Sequence, residues 1–177
     1  MNVYHERPAD EANRLPKELA VYDLLDKLHI PYDRADHEAL MTIEACHIVD
    51  EALDVTVCKN LFLCNQQKTK FYLLMMPGEK KFVTKEVSRQ IGSARLSFAK
   101  ENFMEEYLNI LPGAVSVMGL MNDQENHVQL LIDREVIEAE YIGCHPCVNT
   151  ASLKLKTKDV LEVFLPAVHH DYRIIDL

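Results

Sequence analysis

No run of eighteen apolar residues occurs in this 177-residue chain, which excludes a membrane-spanning helix. The opening "MNVYHERPADEANR" has no apolar centre and no lipid-acceptor pattern, so it reads neither as a secretory signal nor as an anchor. Only five glycines are present, and no Gly/Ser linker, repeat or low-complexity tract divides the sequence. A 48% hydrophobic content in a chain of this length fits one domain with a substantial core. The expected division is a flexible arm over residues 1–14 and a single domain over 15–177. Cysteines number five (46, 58, 64, 144 and 147), an odd count set in apolar stretches. Without an export signal they read as reduced, buried small hydrophobes in a cytoplasmic protein. Also missing are the Gly-x-Ser-x-Gly elbow, the Walker loop, the dinucleotide fingerprint and the His-Glu-x-x-His helix. No cofactor is expected.

Basic residues are in short supply, 19 against 28 acidic ones, and the net charge of −9 by itself argues against a nucleic-acid partner. The distribution argues the other way. Residues 1–58 and 101–177 each carry 5 basic and 13 acidic side chains, whereas 59–100 carries nine basic and two acidic. Such an island, which includes Lys80, Lys81, Lys85 and Arg89, suggests one face made for a polyanion. The competing reading is a solvated face paired with the acidic segments.

Periodicity indicates alternating helices and strands. Pro16 with Ala20, Val21, Leu24, Leu25 and Leu28 gives a helical stripe with proline in the first turn. A short strand is expected in 30–37, and Thr42 is placed to cap a helix through about Leu53. Residues 55–64 and 70–76 read as strands around the turn "NQQKT". "TKEVSRQIG" reads as a helix closed by Gly92, and "KENFMEEYLNI" as another ended by "LPG". Strands are expected at 114–118, 127–132 and 141–144, then a helix over "KTKDVLEVFL" and a last strand in "YRIIDL". The fold class is a mixed-sheet α/β domain rather than a doubly wound one.

Cys144 and Cys147 bracket His145-Pro146 in a redox-like spacing. A redox pair needs a helix N-terminus directly after a strand, and Pro146 and Asn149 oppose that. Zinc needs further ligands, and no second Cys-x-x-Cys exists; Cys46-His47 and His169-His170 would qualify only through spatial proximity. The cysteines therefore read as packing residues, with no metal site expected. Lys59 shares an expected strand face with Val57, Leu61 and Leu63. Such a lysine must snorkel to an edge, pair, or line a cavity where its charge awaits an anion or a developing oxyanion.

"CKNLFL" (58–63), "DHEALMTIEA" (36–45), "LPGAVSVMGLMND" (111–123) and "HPCVNTASLKLKTKDVLEVF" (145–164) resemble, in order and spacing, the freestanding prolyl-tRNA editing proteins. These form the ProX group of the YbaK-type aminoacyl-tRNA deacylases, related to the editing domain inserted in bacterial prolyl-tRNA synthetases. The resemblance runs from about Leu15 to the C-terminus. It implies an irregular mixed sheet surrounded by helices, and hydrolysis of the ester joining a wrong amino acid, typically alanine, to tRNA for proline. By the same match Lys59 is the catalytic lysine, Asn60, His145 and Asn149 contact substrate, and Gly143 sits in a backbone turn lining the pocket. The implied partners are tRNA for proline, with Lys80, Lys81, Lys85 and Arg89 of the basic island as its expected contacts, and, as a second candidate, prolyl-tRNA synthetase, with neither membrane nor metal. "SVMGL" (116–120) departs from the Thr-Pro of many relatives; if this loop walls the pocket, Met118 changes its size. The alternative function is a non-catalytic module of the same fold that binds tRNA or synthetase.

Overall fold

Two β-sheets face each other across one apolar layer in the computed structural model, which describes residues 1–40 and 42–177. In chain order, β1 (Val3–Tyr4) precedes α1 (Pro16–Lys27), β2 (Asp33–Asp36) and α2 (Ile43–Leu53). Next come β3 (Lys59–Cys64), β4 (Phe71–Met76), α3 (Thr84–Ile91), β5 (Ser97–Phe98) and α4 (Glu101–Leu108). A 3-10 helix (Val117–Asn122) leads to β6 (Val128–Asp133), α5 (Arg134–Glu138), β7 (Tyr141–Cys144) and β8 (Ala151–Lys156). The C-terminal helical run is α6 (Thr157–Asp159), a π-helical turn (Val160–Phe164) and α7 (Leu165–Ala167), followed by β9 (Tyr172–Ile175). No helix among the described residues is long and apolar enough to cross a membrane.

The first sheet is antiparallel with order β1-β2-β8-β7; the second is mixed, with order β5-β3-β4-β6-β9. The expected α/β class holds, with the single mixed sheet resolved into two. Strand alternation explains the layering. On β3, Phe62 and Cys64 enter the central layer, while Leu61 and Leu63 turn to the outer face covered by Val87 and Ile91 of α3. All six side chains of β4 are buried because both of its faces are covered, hence its unbroken apolar run. From the first sheet, Ile142, Cys144, Leu153 and Leu155 complete the central layer.

The ends of several helices follow local chemistry. The Thr42 hydroxyl accepts from the Ala45 N–H as an N-cap, and Gly92 closes α3 in the left-handed region at φ 67°. α4 ends at Leu108, two residues short of the expected Ile110, with Asn109 as its left-handed cap. One expected strand is absent, and the condition set on Met118 is not met. Residues 114–118 form no strand; the Ser116 hydroxyl accepts from the Met118 N–H and starts the 3-10 helix instead. Met118 is fully buried in the central layer, so it does not wall the pocket. The N-terminal fourteen residues are tied at three places: β1 pairs with β2, Arg7 bridges Glu11 and Asp23, and Arg14 joins Asp36 and the buried Glu18.

Candidate active site

The two sheets touch where Val57 forms a parallel bridge to Gly143 and the Cys58 N–H donates to the Gly143 carbonyl at 3.0 Å. A side chain at 143 would meet Val57 Cα at 2.8 Å. Only glycine permits this approach. Gly143 therefore lies in strand β7 and not in a pocket-lining turn as expected; its role is to bring the sheets together.

That contact places the start of β3 beside the end of β7. Between them opens a pocket of about 600 Å³, walled by Cys46, His47, Asp50 and Glu51 of α2, by residues 56–59, by Gly78 and Glu79, and by Gly113 and His145. Lys59 and His145, 86 positions apart, thus share one cavity. The Lys59 ammonium donates to the Lys80 carbonyl at 3.0 Å, which anchors one of its three protons and leaves two for a ligand. No carboxylate lies within ion-pair distance of it among the described residues. Of the three options for this lysine, cavity lining is the one realised. Asp50 is held by the Val57 N–H at 3.0 Å, and burial raises its carboxyl above the ordinary range.

His145 Nδ1 lies 2.8 Å from the Ala151 carbonyl, so it carries the ring proton, and Nε2, with no hydrogen bond among the described residues, is left as an acceptor on a ring that lines the pocket. Burial lowers the affinity of this ring for a second proton, and nearby His37 adds to the effect. Asn149 is not one of the pocket's walls, but its Nδ2 lies 3.6 Å from the point where a side chain on the wall residue Gly113 would begin. Asn60, expected against substrate, does not line the pocket. Its amide folds back to the Cys58 carbonyl at 3.0 Å, leaving Oδ1 buried with no partner among the described residues.

Cys58, Cys144 and Cys147 are set around this site without its chemistry, whereas Cys46 on α2 is exposed and not buried as expected. Burial pushes the Cys58 and Cys147 thiols up to about 12 and raises Cys144 further still, so none forms a thiolate at neutral pH. The basic island divides. Lys80, one of the expected tRNA contacts, is held by Asp133 at the end of β6 at 3.1 Å and by Glu135 at 2.8 Å. Arg89 pairs with Glu86 on the surface of α3. Lys81 and Lys85 are exposed, with no ion pair among the described residues. Sequence reasoning named His47 only as a conditional zinc ligand, and His37 and Ser152 lay unremarked inside quoted stretches; Asp50 was not singled out at all.

A family model described as "Aminoacyl-tRNA editing domain" matches residues 37–163, which span both Lys59 and His145. The prolyl-tRNA editing protein ProX of Acetoanaerobium sticklandii is 34% identical over 159 residues, covering 89% of this chain and 96% of the relative. A prolyl-tRNA synthetase associated domain-containing protein of Danio rerio is 30% identical, covering 88% of this chain and 84% of its own. In fold, a solved candidate trans-editing enzyme for prolyl tRNA synthetase superposes with a TM-score of 0.68 at 13% identity, covering 93% of this chain and 99% of its own. By its matched residues, its near full-length relative and its fold, the chain belongs to the aminoacyl-tRNA editing domain family.

Proposed function

We propose that the protein is a trans-editing hydrolase that removes a wrongly attached amino acid, alanine foremost, from tRNA for proline. The observation that carries this reading is the meeting of Lys59 and His145 from different sheets in one pocket, within a chain of the editing family. An aminoacyl ester is already activated, so positioning water and stabilising charge are sufficient chemistry. Water attacks the ester carbonyl while one of its protons passes toward a ribose hydroxyl of the terminal adenosine or toward His145 Nε2. The oxyanion that develops faces the two free protons of the Lys59 ammonium. The bond to the ribose oxygen then breaks, that oxygen takes a proton, and the amino acid leaves as its carboxylate.

Selectivity belongs to the pocket's size. A cavity separates substrates differing by one methylene only about 10–200-fold, which is why a second sieve after the synthetase is useful. Affinity for tRNA is assigned to Lys81 and Lys85, with Arg89 able to exchange its surface pairing with Glu86 for a phosphate. The test is incubation with tRNA for proline charged separately with alanine, proline, serine and cysteine, measuring ester loss against buffer. Faster loss of alanine than of proline supports the reading. Loss at the buffer rate, with tRNA still bound, would make the protein the non-catalytic module instead.

A further inference from the structure

The register of the first sheet brings a second histidine close to His145. Asp36 pairs with Ala151, and the next residue, His37, donates its N–H to the Thr150 carbonyl at 3.0 Å. This sets the His37 ring beside Ser152, whose side chain is fully buried on the α2 side of β8. His37 Nε2 lies 2.9 Å from Ser152 Oγ, and Ser152 Oγ lies 3.4 Å from His145 Nδ1.

The proton positions follow from what each atom can do. A carbonyl only accepts, so His37 Nδ1, 2.8 Å from the Glu38 carbonyl, carries that ring's proton. His37 Nε2 is then an acceptor and takes the single Ser152 hydroxyl proton. The Ser152 oxygen is left with its lone pairs toward His145, whose Nδ1 proton already goes to the Ala151 carbonyl. If the hydroxyl turned round, its proton would face His145 Nδ1 and favour the tautomer with the proton on Nε2.

We propose that His37 and Ser152 are positioning residues for the hydrolysis: they hold His145 in the Nδ1–H form, so that a bare Nε2 faces the attacking water. This rests on the editing-hydrolase reading for its use, though not for the proton placement itself. A proton on His37 would stand close to His145, since the ring centroids are 6.2 Å apart, and would oppose a second proton there. The other titratable groups around the cavity are His47, Asp50 and Glu51 from α2, Lys59 from β3 and Glu79 after β4.

The proposal is tested on the full chain by long-range ¹H–¹⁵N correlation spectra of ¹⁵N-histidine protein, which report His145's tautomer without any tRNA, together with steady-state hydrolysis of alanyl-tRNA for proline. Wild type should show His145 with its proton on Nδ1. In Ser152→Ala and His37→Ala an Nε2–H population should appear, with kcat lowered about tenfold, the scale of one net hydrogen bond, and KM little changed. His37→Gln, whose amide oxygen can accept the same bond, should restore much of the rate. A purely structural Ser152 would leave the tautomer untouched, because the Ala151 carbonyl alone would hold it. Unchanged spectra and unchanged kcat in the alanine variants, or an Nε2–H form in wild type, would overturn the proposal. If Ser152→Ala does not fold, the two His37 variants decide. Tautomer shifts in a protein that hydrolyses no aminoacyl ester would uphold the placement of the proton and defeat the hydrolase reading instead.

Discussion

Cys144 and Cys147 stand on either side of His145, and the burial that raises both thiols also removes them from any role as nucleophile or ligand. Replacing both with alanine should leave hydrolysis of the aminoacyl ester within a few-fold of wild type, while stability falls modestly through poorer packing. Activity abolished at an unchanged melting temperature would contradict this. Lys59 was legible from one strand: a lysine among aliphatic residues needs a reason, and here the reason is a cavity. Lys80 was not legible, because the carboxylates that hold it lie 53 and 55 positions further along the chain, on β6 and α5. The His37–Ser152 hydrogen bond spans 115 positions and leaves no local trace either.

Elements with strong local signals emerged from periodicity, among them α1 behind Pro16, α2 behind its Thr42 cap and α3 before Gly92. β8 did not, although "ASLKLK" alternates. Its partners β2 and β7 are joined to it by tertiary register, and the preceding Asn-Thr reads as a turn. Gly143 is the point at which elements determine the site. Gly143→Ala should force the 56–58 segment away from β7, costing about 1–3 kcal/mol in urea unfolding and lowering turnover. An alanine variant of wild-type stability and activity would show that the sheets do not depend on this close approach.

The connection into β9 carries a second test. His170 Nδ1 faces the Val168 carbonyl at 2.8 Å and Nε2 faces Asp123 at 3.0 Å, so the buried ring donates twice and is held as the cation. Asp123 also accepts the N–H groups of His127 and Val128, and these bonds draw its carboxyl below the ordinary value of 3.8. His170 is raised above 6.5. Its contribution is therefore complete below 6.5 and disappears as pH rises through the folded value. Asp123's contribution is complete above 3.8 and disappears as pH falls through its own. Melting temperature should peak between those limits. His170→Asn should lower it by about 3–10 °C at pH 6, with a smaller loss at pH 9. An equal loss at both pH values would mean that the ring acts by packing alone.

At the scale of the molecule, charge and architecture answer different questions. The α/β class was readable, but the division into two sheets was not, since it depends on which strands pair across the chain. The acidic ends of the sequence explain much of the internal pairing, in the arm through Arg7 and Arg14 and at Lys80, while Lys81 and Lys85 remain facing solvent. Changing Lys81 and Lys85 to glutamine should flatten the log–log salt dependence of tRNA binding by roughly 0.7–0.9 for each phosphate no longer neutralised. Lys80→Gln should lower stability and leave that slope alone. The reverse pattern would place the tRNA elsewhere.

The central claim is that Lys59 serves the reaction through its charge, from a cavity where it contributes little to packing. Single-turnover hydrolysis of alanyl-tRNA for proline by Lys59→Ala, at saturating protein, tests it most directly, with thermal melting as the folding control. Removing one preorganised oxyanion donor costs about 10²–10³ in rate, and that drop at an unchanged melting temperature is the expected result. A Lys59→Ala protein that melts normally and hydrolyses within about threefold of wild type, far short of an oxyanion-type effect, would contradict a charge role for Lys59.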